Sequence, residues 1–353
     1  MMSTPAQRLR ERIAANGPVP FAEVMGEALY GESGYYRRQT VPIGPEGDFV
    51  TGSSISPLFG RATAEVIRRL DRALGRPVDF LEVGYGSGAH LGSVLESLDA
   101  VSRRRVIAVD RVKRQLPSSV EVMEEVPDPE EIALSGLIFS YELFDALPVH
   151  RLIGRQDGSV GELWVDLDSN QTLRYVEGDL SDPVLRGCLG PGCTNLAAGQ
   201  IVDVTPGWTQ LYRQLASLLS EGLLVTFDYG FERRRLFDQR VRPHGTLACY
   251  RSQRVHRDAL SDMGNQDLTA HVDFTALWEA GEDVGLETFA FTRQARWLLA
   301  CGLFDQIQGA DQTGRIEAMD LLNPAGMGEE IRVLVQGRGV DIGRLFDLEM
   351  LTS

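Results

Sequence analysis

Three glycines at alternate positions, Gly84, Gly86 and Gly88, constrain this chain more than any other feature. They separate an apolar run over residues 77–83 from a helically spaced run over residues 91–98. The first run has the continuous apolar character of a buried parallel strand, and the second has the period of a helix. A turn this tight requires positive φ or close backbone approach, and a missing Cβ permits both. The helix that follows points its free N–H groups and positive dipole end at whatever lies over the loop. Strand, glycine loop and helix together make a nucleotide-type cofactor site.

The loop admits two ligand readings. As G-x-G-x-x-A through Gly84, Gly86 and Ala89 it fits a dinucleotide fingerprint, with Asp110 on the ribose, and the chain would be an NAD(P)-binding oxidoreductase. As E-x-G-x-G-x-G from Glu82 it is similar to the usual first motif of class I methyltransferases that use S-adenosylmethionine. An acid directly before the glycines suits a cationic amino-acid moiety and repels a pyrophosphate at close range. A glycine-rich turn with no ligand is the bland alternative.

At 353 residues the chain accommodates one large domain with insertions, or two domains. Its 50 acidic and 35 basic residues leave a net charge of −15, which argues against non-specific DNA, RNA or anionic-membrane binding. Cys188, Cys193, Cys249 and Cys301 form no CxxC pair and no metal-like spacing with histidine, so free thiols and no metal are expected. With no secretory signal and no apolar run of membrane-spanning length, the chain reads as cytoplasmic, a monomer or homodimer.

Along the chain, Thr4-Pro5 opens a helix that Asn16-Gly17-Pro18 stops, and a second helix covers residues 21–30. Residues 43–51 form a polar, glycine-rich loop, the kind that carries function. Ser56-Pro57 caps a helix to about Leu74. Residues 105–110 read as a buried strand ending in Asp110, where an open α/β sheet holds a ribose, with a solvated strand-end acid as the bland alternative. Residues 136–140 and 222–229 read as further strands, ending in Tyr141-Glu142-Leu143-Phe144-Asp145 and Phe227-Asp228-Tyr229-Gly230. Residues 160–165 and 172–176 flank a polar turn and predict a β-hairpin insertion, while the basic stretch 231–270 reads as an arm over the sheet's ligand edge. Residues 273–284 are a helix, and 287–291 and 331–336 late strands.

Several separated segments point one way. Gly34-Tyr35-Tyr36, Gly47-Asp48-Phe49-Val50-Thr51, Leu58-Phe59-Gly60, Glu142-Leu143-Phe144-Asp145-Ala146-Leu147-Pro148, Asp228-Tyr229-Gly230, Gly245-Thr246-Leu247, Asp267-Leu268-Thr269-Ala270-His271-Val272-Asp273-Phe274 and Met327-Gly328-Glu329 follow one another in this order. Together they resemble the MidA family of class I S-adenosylmethionine-dependent methyltransferases, which includes the mitochondrial complex I assembly-factor arginine methyltransferase. The resemblance implies an α/β, Rossmann-like class I fold with a seven-stranded sheet whose last strand is antiparallel. It implies N-terminal helices and a loop over residues 1–55, then a methyltransferase domain over 56–353 with insertions at about 155–195 and 231–270.

Carried onto this sequence, the resemblance places Glu82, Gly84, Gly86 and Gly88 at the methionine end of S-adenosylmethionine and Asp110 on its ribose. Tyr141 and Glu142 would also line the cofactor, with Glu142 and Asp145 facing the acceptor and the sulfonium. The chain departs from the family pattern at Thr51-Gly52-Ser53-Ser54, at Tyr141 and at Gln253.

Methyl transfer is an in-line displacement that needs alignment, exclusion of water and a nucleophile with a free lone pair. A guanidinium acceptor needs carboxylates to hold its fork, a task Glu142 and Asp145 suit; a bond to the cofactor's own ammonium is the other role for Glu142. His271, in a polar segment leading into a helix, is placed as a general base, with capping or packing as the bland alternative. His90 and His150 read as structural, and Tyr35, Tyr36, Phe49 and Trp208 as core or pocket lining. Three functions fit: an arginine-type protein methyltransferase, a small-molecule methyltransferase, and a non-catalytic assembly or binding protein with a degenerate cofactor site.

Overall fold

The computed structural model describes residues 3–37, 56–98, 104–252, 254–308, 312–323 and 326–352. The chain divides into two compact units, one of Val50–Leu143, Thr209–Gly230 and Leu277–Ser353, the other of Met1–Phe49, Phe144–Trp208 and Phe231–Ala276.

The first unit is built on seven strands: β1 (Asp79–Val83), β2 (Val106–Val109), β3 (Glu121–Met123), β4 (Leu134–Tyr141), β5 (Leu219–Phe231), β6 (Glu287–Arg293) and β7 (Ile331–Arg338). They lie in the order β3-β2-β1-β4-β5-β7-β6. The pairs from β3 across to β5 are parallel, and β7 runs antiparallel to both β5 and β6. Across these seven, the order and directions are those the family resemblance implies, last strand included.

A parallel sheet covered on both faces must be apolar on both, and every residue of β4 is buried. The helix Pro57–Leu74 covers part of it, started by the Ser56 hydroxyl accepting from Leu58 N–H at 3.1 Å and stopped by left-handed Gly75. Leu58, Ala62, Val66 and Leu70, spaced by four, are buried together with Phe59 and Ile67. Strand order reverses between β1 and β4. Their carboxyl ends therefore flank the crevice where open sheets of this kind take ligands.

The second unit carries the helices Pro5–Asn16 and Phe21–Tyr30, the first with a reciprocal Thr4–Gln7 capping box. Its larger sheet is antiparallel, in the order Val19–Pro20, Val160–Leu167, His150–Gly154, Ile201–Val204. Leu173–Gly178 pairs with Val160–Leu167 in register from Leu167↔Leu173 to Glu162↔Gly178, which is the hairpin expected from sequence. The basic stretch is more ordered than its weak periodicity suggests. It holds a short helix, Arg233–Leu236, and a three-stranded sheet of Arg254–His256, Ala248–Arg251 and Asp267–Thr269. Buried charges are paired, Arg151 with Asp203 at 3.0 Å and Arg233 with Asp273 at 2.7 Å, as their desolvation requires.

Candidate functional site

The glycine loop joins β1 to the helix Ala89–Ser97. Gly84, Gly86 and Gly88 all take positive φ, at 73°, 53° and 79°. A residue with a Cβ would be strained at each, and a Cβ on Gly88 would also stand 2.6 Å from the Leu116 side chain. Gly84 N–H donates to the Val109 carbonyl at 2.8 Å, tying the loop to the end of β2. Gly88 is the N-cap of the helix and supplies no side chain, so the cap leaves first-turn N–H groups for a ligand.

Asp110 stands at the end of β2. Its Oδ2 accepts from Gly86 N–H and its Oδ1 from Val112 N–H, each at 3.0 Å, which leaves lone pairs for a ribose diol. Two partners were not read from the sequence. Arg114 donates to the Gly86 carbonyl at 2.9 Å and lies 3.8 Å from the Asp110 carboxylate, while the Tyr85 hydroxyl accepts from Arg114 N–H.

At the end of β4 the two candidates part. The Tyr141 side chain turns into the core, its ring against Phe59 and Phe227 and its hydroxyl donating to Gln294 Oε1 at 2.8 Å. What Tyr141 offers at the strand end is backbone, because a buried phenol needs a partner and has it in Gln294. Glu142 takes φ 49°, left-handed for a residue with a Cβ, at a cost of about 1–2 kcal/mol. The conformation is held from outside: Glu142 N–H donates to the Phe227 carbonyl at 2.9 Å, and Leu143 N–H to Asp228 Oδ2 at 3.2 Å. Strain of this kind gathers at functional sites.

Glu82 is buried at the end of β1, its Oε2 3.1 Å from His90 Nδ1 but out of line for a full hydrogen bond. A buried carboxylate oxygen without a well-aligned partner, beside a glycine loop, fits a ligand that brings a cation. Thus Glu82, at the end of β1, sits in one unit with the three glycines, Asp110 and Glu142, which lie on the loops after β1, β2 and β4. Among the described residues, no cluster of histidine, cysteine or carboxylates has the form of a metal site.

Asp145 and His271 belong to the other unit. The Asp145 carbonyl accepts from Ala270 N–H at 2.9 Å, which draws the two stretches together. His271 N–H donates to Thr246 Oγ1 at 3.0 Å, and its ring tilts against Phe231 at 5.6 Å. Tyr36 stacks on Tyr30, and its phenol is held well above the usual range by burial, then by the charge of Asp267, by Tyr30 and by Asp145. Asp267 was not singled out from the sequence, although it opens the segment that carries His271. Tyr35 and Trp208 are core, with Trp208 Nε1–H donating to the Phe144 carbonyl. Arg235 and Arg242 both lie over the Phe231 ring, at 4.6 and 4.1 Å, and burial followed by the charge of Arg235 lowers the Arg242 guanidinium. Residues 47–54, Phe49 among them, and Gln253 lie outside the described residues.

Known proteins agree with this geometry. The chain is 28% identical over 324 residues to the Drosophila melanogaster protein arginine methyltransferase NDUFAF7 homolog, mitochondrial, covering 79% of this chain and 70% of that one. It is 27% identical to the Homo sapiens protein arginine methyltransferase NDUFAF7, mitochondrial, over 78% and 68% of the two chains. A Burkholderia thailandensis crystal structure bound to S-adenosyl-homocysteine superposes with a TM-score of 0.86 at 26% identity, covering 96% of this chain and 92% of that one. A family model described as S-adenosyl-L-methionine-dependent methyltransferase matches residues 58–292, from the start of the helix before β1 to the end of β6. The glycine loop, the acid at the end of β2 and the strand order all agree with that description, and the chain belongs to this family of S-adenosylmethionine-dependent methyltransferases.

Proposed function

We propose that the acceptor is a guanidinium nitrogen of a protein arginine, methylated at the carboxyl edge of the sheet. The observation that carries this reading is Glu142, a carboxylate on a left-handed residue fixed by Phe227 and Asp228. A strained backbone aims a side chain where relaxed geometry would not, and an acid so aimed suits a cation. The names of the relatives from Drosophila melanogaster and Homo sapiens support the same acceptor.

Bound S-adenosylmethionine supplies an electrophilic methyl on a sulfonium. Asp110 would hold the ribose, with Glu82 and the glycine loop at the methionine end. Glu142 would take the guanidinium fork and offset the repulsion between acceptor and sulfonium, both positive. Asp145 and His271 would serve the acceptor, the first as a second carboxylate and the second as a base. The nitrogen forms its bond to carbon as the carbon–sulfur bond breaks, and the displaced proton passes to a carboxylate or to solvent.

A small-molecule acceptor is the second reading. It is favoured by Arg235 and Arg242 on Phe231, the ring that His271 packs against, because two guanidinium groups there suit an anionic substrate. A binding protein without turnover is the third. Isotope-labelled methyl transfer from S-adenosylmethionine into protein and metabolite fractions separates all three.

We also place the chain in the cytoplasm, as a monomer or homodimer without nucleic-acid or membrane partners. No helix among the described residues is long and apolar enough to cross a membrane, and the four cysteines are free thiols. The named relatives carry the word mitochondrial, so fractionation with light scattering is the test. The domain layout is proposed as a methyltransferase domain over 56–353 preceded by residues 1–55, with insertions at about 155–195 and 231–270.

A further inference from the structure

His90 stands two residues beyond Gly88, in the first turn of the helix that the glycine loop opens. It is 3% exposed, Glu82 4% and Thr63 0%. The imidazole stacks on Phe139 with centroids 4.6 Å apart and meets Phe59 edge-on at 5.4 Å, so its plane is fixed. Its Nε2 is 3.0 Å from Thr63 Oγ1, and its Nδ1 is 3.1 Å from Glu82 Oε2. A line of three polar side chains thus runs through an otherwise apolar core to the acid that precedes the loop.

We propose that His90 is a positioning residue for the cofactor. Held by Thr63 on one nitrogen, it turns the other to within 3.1 Å of Glu82 Oε2, a bent electrostatic contact rather than an aligned hydrogen bond, and so sets that carboxylate for the cationic methionine end of S-adenosylmethionine. The inference rests on the cofactor and is independent of the acceptor.

Of the two neutral-ring tautomers beside a Glu82 carboxylate, the proton count favours the one with hydrogen on Nδ1. The Thr63 hydroxyl has one proton and two acceptors in reach, His90 Nε2 and the Phe59 carbonyl at 3.2 Å. If the proton goes to Phe59, then His90 Nε2–H donates to Thr63, and a neutral ring turns a bare Nδ1 lone pair toward a carboxylate. That juxtaposition is repulsive, and burial removes the water that would relieve it. If the proton goes to Nε2, then Nδ1–H faces Glu82 and every group has a complementary neighbour. Glu82 then has lone pairs left for a ligand ammonium. The Phe59 carbonyl loses nothing essential, since it lies in the interior of the helix Pro57–Leu74.

Nitrogen-15 spectra of the histidine-labelled chain should show His90 as the Nδ1–H tautomer; an Nε2–H tautomer overturns the proposal whether or not any variant folds. Calorimetry with S-adenosylmethionine gives the second readout. Asparagine places its amide nitrogen near the position of Nδ1, and glutamine near Nε2. His90→Leu and His90→Gln should each lose about three- to tenfold in affinity, as fits a bent contact with a charged group, while His90→Asn stays within about twofold of the parent. Glu82→Gln combined with His90→Leu should bind no worse than Glu82→Gln alone, because the two act as a unit. Parent-like affinity in His90→Leu, equal losses in the asparagine and glutamine variants, or additive losses in the double variant would each overturn it.

Discussion

Asp110 Oδ2 accepts the backbone N–H of Gly86 at 3.0 Å, so the acid at the end of β2 holds the middle of the loop that follows β1. One carboxylate thereby shapes the loop and is the proposed acceptor for the ribose. Asp110→Ala removes both roles. S-adenosylmethionine affinity should fall by about ten- to a hundredfold, the usual worth of a charged hydrogen-bond acceptor. Calorimetry within about twofold of the parent would leave Asp110 as a strand-end acid that serves only its own turn.

Gly86→Val tests the loop from the other side. Gly86 has φ 53°, where a β-branched residue is strained, and its amide is already engaged by Asp110. The variant should keep the sheet folded, as judged by circular dichroism, and lose cofactor binding by at least about tenfold through strain and lost backbone approach. Unchanged affinity would remove the loop from the cofactor site.

The sheet was legible because β1, β2, β4 and β5 are continuous apolar runs, the pattern that two covered faces impose. Short edges were not. Three-residue β3 carries exposed Glu121, and Val19–Pro20 becomes a strand only through pairing with Trp164 and Val165, far along the chain. The glycine alternation announced a left-handed loop, whereas nothing about a glutamate announces φ 49° at Glu142, which Phe227 and Asp228 impose from β5. Tyr141 was expected at the cofactor from the family resemblance; its side chain points to the core, where its hydroxyl donates to Gln294, on a helix after β6. His90 was read as structural, and its partners Thr63 and Glu82 come together only when two helices meet β1.

Acid should loosen the unit that holds the hairpin. Burial alone would raise the Glu162 carboxyl, but His150 Nδ1 at 2.7 Å and Ser181 N–H at 2.6 Å outweigh burial and hold it below the usual range. A depressed carboxylate stabilises fully above its unfolded value, about 4.3, and stops doing so as pH falls through the folded value. Amide exchange in the strand Val160–Leu167 should therefore be slower in the parent than in Glu162→Gln near neutrality. The difference should shrink below about pH 4. A difference that persists or grows on acidification would contradict the depressed carboxyl.

The acceptor turns on charge. A guanidinium brought beside a sulfonium places two positive groups together, and a carboxylate must offset them. Glu142 is the acid that the end of β4 presents, on a backbone strained into place. Glu142→Gln keeps the shape and removes the charge, so turnover should fall by at least about a hundredfold while S-adenosylmethionine affinity stays within about threefold. A neutral or anionic acceptor has no such need. It would depend instead on a base, for which the candidate is His271, whose neighbour Phe231 also carries Arg235 and Arg242. The comparison is single-turnover methylation by Glu142→Gln and His271→Ala, on arginine-bearing protein and on the small-molecule fraction. Loss confined to Glu142→Gln on protein supports the arginine acceptor. Loss confined to His271→Ala on the small-molecule fraction would reject it and assign the chain a substrate that carries its own negative charge.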